Sequence, residues 1–459
     1  MSSRHLFGSL AALFVASGLV GVTMGGSGCD RDTEVRFPPD GGDASDGDAP
    51  DVVDGGPTIT VTSFAPTLTS APAAKAAATW VAYQLDDGEW RPLAPASAGT
   101  YLFPLPNVRW AVALVCASED NADSTVYVHR RTAATVSLDV SLDEHCTPPP
   151  PAAEFAIAGN LANVPPTTEW LDFGYARDSR GVTAAVSGGV SPYEMVGIAP
   201  GTWDLSFGIR DNAGGPLSRV VIRRAEVVAG DKMFDVDVTG ALSFAPSSKA
   251  LVLRNLLPGD TVAPKIFYAS GGPFGIDVGP QDVPAAPPDP ALAYSTIPEG
   301  FQMPGDRYHG ALLAEQDRRT DGRTIRFDIH NALDLDLTFL AEPPEPVVVV
   351  LAVAPQVRLE TKFPVLANAV RHEVLAVAGG NRNKRAWRAT YDAAYVGGAA
   401  EVVDSMPDLS SLPGWSAAWG LAAGEMARVL ATGVEKSGSL GDGTVQRSAG
   451  RAVSVVVGP

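Results

Sequence analysis

Apolar and polar residues alternate with a two-residue period in segment after segment, and this constrains the chain more than any other feature. Val108, Trp110, Val112 and Leu114 alternate with Arg109, Ala111 and Ala113. Val136, Leu138, Val140 and Leu142 alternate with Ser137, Asp139 and Ser141. Trp203, Leu205, Phe207 and Ile209 follow the same rule, as do Phe234, Val236 and Val238, and Leu333, Leu335, Leu337 and Phe339. A period of two puts one face of each strand on a core and the other in water. Antiparallel sheets give this pattern, whereas parallel α/β sheets give unbroken apolar runs. The 47 glycines and 38 prolines suit a turn-rich β protein. The fold class predicted is all-β, with tandem antiparallel β-sandwich domains followed by a β-rich C-terminal region.

The strands also recur. Tyr101 and Tyr193 lie 92 positions apart, Trp110 and Trp203 lie 93 apart, and the pair Arg130-Arg131 returns 93 positions later as Arg223-Arg224. A weaker third copy runs through Tyr308, Leu312, Arg318-Arg319 and Ile325–Ile329, with Arg319 standing 95 positions after Arg224. Several strands per copy at so long a period point to tandem sandwich modules rather than a solenoid of short units. Pro148–Pro151 and Ala245–Ser248 punctuate the copies, and Ala341–Pro346 opens the last segment. The predicted organisation is 57–147, 153–245 and 247–345 as β domains, then 346–459. Within the last, Trp387–Tyr391 and Thr444–Val457 read as strands. Trp415–Val434 reads as either a helix or a hairpin, since its alanines favour helix and its glycines do not.

Copy two carries Tyr193-Glu-Met-Val-Gly-Ile-Ala-Pro-Gly-Thr-Trp203-Asp-Leu205. This resembles the strand–turn–strand signature of carboxypeptidase-regulatory-like and related transthyretin-like or Ig-like sandwiches. The resemblance covers about residues 153–240. It implies a sandwich that serves as a spacer or binding module, and it implies no catalytic residue.

The N-terminus reads as a targeting segment. Arg4 and His5 precede an apolar run from Leu6 to Met24, which Gly and Ser interrupt. Gly26-Ser27-Gly28-Cys29 follows and resembles the lipobox of bacterial lipoproteins, although the Leu usual three residues before the cysteine is replaced by Gly26. The resemblance implies a signal peptide over 1–28, a lipidated Cys29, and export to the cell envelope of a Gram-negative-type bacterium, either facing the periplasm or at the surface. A plain secretory signal and an uncleaved anchor are the other readings. More than one acyl chain is needed for stable anchoring. Residues 29–56 follow as a disordered acidic linker. Nine acids and two bases lie between Asp30 and Gly56, a net of −7 out of −18 for the whole chain.

If Cys29 is the anchor, Cys116 and Cys146 remain, both in copy one. Export permits a disulfide between them; two buried free thiols are the alternative. The acidic balance argues against a nucleic-acid partner, because phosphate contacts need clustered Lys and Arg. No two of the six histidines lie within four residues, so there is no HExxH zinc helix, and there is no GxSxG, GxxxxGK[ST] or GxGxxG motif. No catalytic residue, cofactor or metal ligand is therefore assigned. Carboxylates close in sequence, such as Asp86-Asp87 or Asp306 near Glu315, carry little information among 52 acids. Trp80 and Trp90, Trp415 and Trp419, and the Arg pairs are candidate ligand contacts whose ordinary roles are core packing and edge protection. The expected function is a membrane-anchored envelope protein with a non-catalytic binding or scaffolding role. Its ligand would be an envelope protein or polysaccharide. The alternative is an envelope hydrolase acting on polysaccharide or peptide, with its site in the C-terminal region.

Overall fold

A computed structural model describes residues 56–65, 74–143, 155–166, 170–174, 189–198, 200–211, 215–270, 275–280, 283–284, 291–316, 322–380 and 383–458. The described residues form 31 strands, one four-residue α-helix and two short 3-10 turns. The fold is all-β, and no described helix is long and apolar enough to cross a membrane.

The first module comprises β1 (Thr58–Phe64), β2 (Trp80–Leu85), β3 (Arg91–Pro92), β4 (Thr100–Pro104), β5 (Arg109–Ala117), β6 (Ser124–Thr132) and β7 (Ser137–Ser141). The second comprises β8 (Phe155–Val164), β9 (Trp170–Gly174), β10 (Gly189–Ile198), β11 (Gly201–Arg210), β12 (Leu217–Val228), β13 (Lys232–Met233), β14 (Val236–Asp237) and β15 (Ser243–Phe244). The third comprises β16 (Ser247–Arg254), β17 (Asp260–Ala269), β18 (Ile276–Asp277), β19 (Val283–Pro284), β20 (Ala291–Thr296), β21 (Arg307–Gln316), β22 (Gly322–Ile329) and β23 (Leu335–Thr338). The C-terminal region has β24 (Val347–Ala352), β25 (Arg358–Pro364), β26 (Ala369–Ala378), β27 (Arg385–Asp392), helix α1 (Ala393–Val396), β28 (Glu401–Ser405), β29 (Met426–Glu435), β30 (Gly438–Leu440) and β31 (Gly443–Val456).

The first three modules share one topology. A small sheet orders its strands β4-β1-β7 in the first, β10-β8-β13 in the second and β20-β16-β23 in the third. In each, the last strand runs parallel to the first. The facing strands run β2-β5-β6, β9-β11-β12 and β17-β21-β22. The tyrosine and tryptophan landmarks of copy two thus flank a corner. β10 lies in one sheet, the Pro200-Gly201 turn follows, and β11 lies in the other. The same crossing links β4 to β5 and β20 to β21. The third copy is in place, but not at the spacing its Arg pair suggests. Tyr308 is the second residue of β21, as Trp110 is of β5. Arg318 and Arg319 lie outside the described residues, between β21 and β22. Arg130-Arg131 and Arg223-Arg224 instead lie within the strands that follow, β6 and β12.

One sheet of 14 strands joins the modules. Its main path runs β18-β17-β21-β22-β31-β29-β26-β27-β6-β5-β2-β3, with β19 added on β17 and β30 on β31. Strands of the third module pair with the C-terminal region at β22–β31, which is antiparallel. The C-terminal region pairs with the first module at β27–β6, which is parallel, with Arg385 opposite Ser124 and Tyr391 opposite Arg130.

This seam changes how β5 is buried. Alternation predicts a half-buried strand, yet every residue from Trp110 to Ala117 is buried. Trp110, Val112, Leu114 and Cys116 meet Ile59, Val61, Tyr101 and Phe103 in the core of the first module. Ala113, Val115 and Ala117 turn the other way, into a core shared with Leu359, Phe363, Trp387 and Trp419. Small alanines on the second face let that layer approach closely. Trp415–Val434 is not an α-helix: it holds a 3-10 turn at Ala417–Trp419 and then most of β29.

Candidate functional site

The parallel seam also builds a pocket. Gln84 lies on β2, and Trp90 follows the tight turn after it, in which Asp86 and Asp87 adopt φ of 47° and 60°. Asp86 anchors that turn by accepting the backbone N–H groups of Asn107, Val108 and Arg109. These bonds, led by that of Arg109, hold its carboxyl below the usual aspartate range. Arg130 comes from β6 and Tyr391 from its parallel neighbour. The chain then turns into α1, where Asp392 caps the helix by accepting the Tyr395 N–H at 2.6 Å, and this places Tyr395 at the rim. Val403, Ser405 and Pro407 close the wall from β28 and the residues after it. The pocket is open to solvent, with a volume of about 260 Å³.

The polar floor is asymmetric. The Arg130 guanidinium lies 5.6 Å from the centre of the Tyr391 ring, and its Nη2 donates to the Ser405 carbonyl at 3.3 Å. Its Nε has no acceptor. Behind it, Asp404 is 1% exposed. The Tyr391 hydroxyl donates to Asp404 Oδ1, while Oδ2 has no hydrogen-bond partner. Burial pushes the Asp404 carboxyl above the usual aspartate range, against the pull of Arg130, Tyr391 and Trp387. Burial also opposes the charge on Arg130, but Tyr391, Asp404 and Tyr395 more than offset it, so the guanidinium stays charged. A second cation, Arg109, lies 5.2 Å from the Tyr395 ring centre and pairs with Asp87. The Ser405 hydroxyl is committed to Glu360 at 2.8 Å.

The residues singled out from sequence are dispersed. Cys29, assigned to lipidation, and Cys146, assigned to the disulfide, lie outside the described residues. Cys116 is buried, with its Sγ 3.4 Å from the carbonyl of Asp143, three positions before Cys146. Trp80, Trp415 and Trp419 pack together in one core with ring centres 5.2 to 6.3 Å apart, Trp415 edge-on to both others and Trp80 tilted against Trp419, and the Trp80 indole donates to the Pro413 carbonyl. Trp90 alone of the four named tryptophans lines the pocket.

The Arg pairs divide by role. Arg130 faces the pocket, whereas Arg131 donates across the seam to the Thr390 carbonyl. Arg223 pairs with Glu226, and Arg224 ties the second module to the third through Asp204 and Asp306. Asp306 and Glu315 stand at opposite ends of β21, roughly 30 Å apart at strand rise, so they form no catalytic pair. Sequence reasoning missed Gln84, Tyr391, Tyr395, Asp404 and Ser405 as a group. They meet only through strand pairing between residues about 261 positions apart, and no local motif encodes such pairing. Among the described residues no cluster of three or more His, Cys, Asp or Glu side chains is placed to hold a metal ion.

The chain is thus an all-β protein of repeated sandwich modules with a pocket at a module junction. No protein-family model matches it, and neither does any curated protein.

Proposed function

We propose that this protein is an exported, lipid-anchored envelope component whose modules act without catalysis, presenting a ligand-binding site at the junction of the first module and the C-terminal region. The observation that carries the binding role is the pocket itself. Three aromatic rings, one retained cation and a few hydrogen-bonding groups converge in a concave site, which is the usual make-up of a small-ligand site. The Ig-like and transthyretin-like assignments, and the anchor at Cys29, rest on sequence resemblance. The shared strand order of the three modules supports a tandem all-β organisation.

The anchor is tested by labelling with radioactive palmitate. Wild-type protein should take up label and sediment with membranes, and Cys29→Ala should do neither. Labelling or membrane retention of that variant would sink the anchor. The binding role is tested by saturation-transfer NMR of the full-length protein in detergent micelles against monosaccharides. Saturable contacts that Trp90→Ala weakens are the supporting result, and the absence of any such contact would refute it.

A further inference from the structure

The pocket at the β6–β27 seam is specific enough in its chemistry to name a class of ligand, and this step rests on the binding role proposed above. We infer that the site takes a carboxylate-bearing sugar ring, held by its carboxylate on Arg130 and by its ring face against Trp90.

The volume is the first constraint. About 260 Å³ falls just below the roughly 300–1,000 Å³ of sites for drug-sized ligands, which suits one ring with its substituents. The cation is the second. Arg130 presents five donors in a planar fork, yet only Nη2 has a backbone acceptor, the Ser405 carbonyl, and Nε has none. Among the described residues Arg130 makes no ion pair within contact distance; its partners are the Ser405 carbonyl and, from the rim, Tyr395. Its charge thus meets no carboxylate in direct contact, in a chain that carries −18 overall. A planar carboxylate accepts from such a fork with two parallel bonds.

The walls are the third constraint. Among the described residues, Trp90 is the lining aromatic for which no cation contact is seen, whereas Arg130 lies over the Tyr391 ring and Arg109 over the Tyr395 ring; Val403 and Pro407 add an apolar edge. Gln84 spends its N–H on the Gly88 carbonyl at 2.7 Å, which leaves Oε1 to accept from a ligand hydroxyl. An acid with no ring would leave the aromatic walls unused. A neutral sugar would leave the Arg130 fork unmet.

The experiment compares D-glucuronate, D-glucose and acetate by saturation-transfer NMR and titration calorimetry, with the full-length protein in detergent micelles. Glucuronate should bind at least about tenfold more tightly than glucose, the ratio expected from one charge-assisted bond, and acetate more weakly than glucuronate. Arg130→Gln should erase the preference for glucuronate, and Trp90→Ala should weaken both sugars. Should Arg130→Gln fail to fold, Val403→Glu serves instead. It places an anion on an exposed rim position (46% exposed) and should weaken glucuronate several-fold more than it weakens glucose. Arg91→Gln, exposed and outside the pocket, should change neither.

Equal binding of glucose and glucuronate, still dependent on Trp90, would overturn the acidic class and leave the binding role standing. Acetate binding as tightly as glucuronate would also overturn it, since the ring would not be read. No saturable binding of any of the three would overturn this inference and the binding role together.

Discussion

His129 makes the seam sensitive to acid in a calculable way. It lies on β6 with 8% of its surface exposed. Its Nδ1 is 2.7 Å from Thr390 Oγ1 on the neighbouring strand, and Nε2 has no partner. Burial, followed by the charges of Arg131, Arg388 and Arg371, holds its pKa well below the usual histidine value. The folded protein therefore keeps the ring neutral, while the unfolded chain takes up a proton near pH 6.5. A depressed pKa of this kind gives stability that is present above pH 6.5 and is lost as pH falls toward the folded value. Lowering the pH from 7.5 to 5.5 should cost about 1.4 kcal/mol through this one residue. His129→Asn removes the titration but keeps a polar side chain opposite Thr390. Urea unfolding followed by far-UV circular dichroism at both pH values measures the effect. The stability difference between wild type and His129→Asn should shrink by about 1.4 kcal/mol between pH 7.5 and 5.5, since all other titrating groups are common to both proteins. A difference that stays constant over that range would refute the claim that the folded state holds His129 neutral.

The other predictions concern single contacts. Asp260→Ala should destabilise by about 3–5 kcal/mol in urea unfolding, because it strands the Arg323 guanidinium, whose side chain is only 2% exposed. Replacing both members of that pair with leucine or methionine should cost far less. Trp80→Ala should cost about 3–5 kcal/mol, since it removes a large ring from the core where Trp415 and Trp419 meet. Thiol titration of the denatured, unreduced mature protein should find no free cysteine if Cys116 and Cys146 are bridged. Opening that 31-residue loop by Cys146→Ser should cost roughly 3–4 kcal/mol, and two or more reactive thiols in wild type would rule the bridge out.

Strand after strand was legible because alternation is a local signal. The segments around Trp110, Trp203 and Leu335 all became strands with the predicted face inward. Landmarks at 92 and 93 positions were legible for a related reason: equivalent strands meet equivalent cores. Where alternation misled, a second layer was responsible. β5 reads as half-buried because Ala113 and Ala117 look like surface residues until the C-terminal core covers them. In β12, Val221 faces its own module while Val220 and Ile222 face the third, so each side of that strand meets a different core. The Phe234–Val238 alternation holds only a two-residue strand, β14, which lies alongside β8 as does β13 just before it. The pocket was illegible because its residues come from β2, β6, β27 and β28. Arg130 appeared only as half of a repeated pair, and the tyrosines that complete its surroundings lie on the far side of a pairing with no sequence signature.

That pairing also sets a timetable. β6 carries a free edge until Arg385–Asp392 exist and have found it, more than 250 residues after its own synthesis. Contacts so distant along the chain are slow to form, and an unpaired strand edge is a template for wrong partners while it waits. The first module therefore cannot complete itself as it emerges, although its own core strands are all present by residue 141. A late segment thus seals an early one, and a chain cut short before β27 would leave its N-terminal module with an open side.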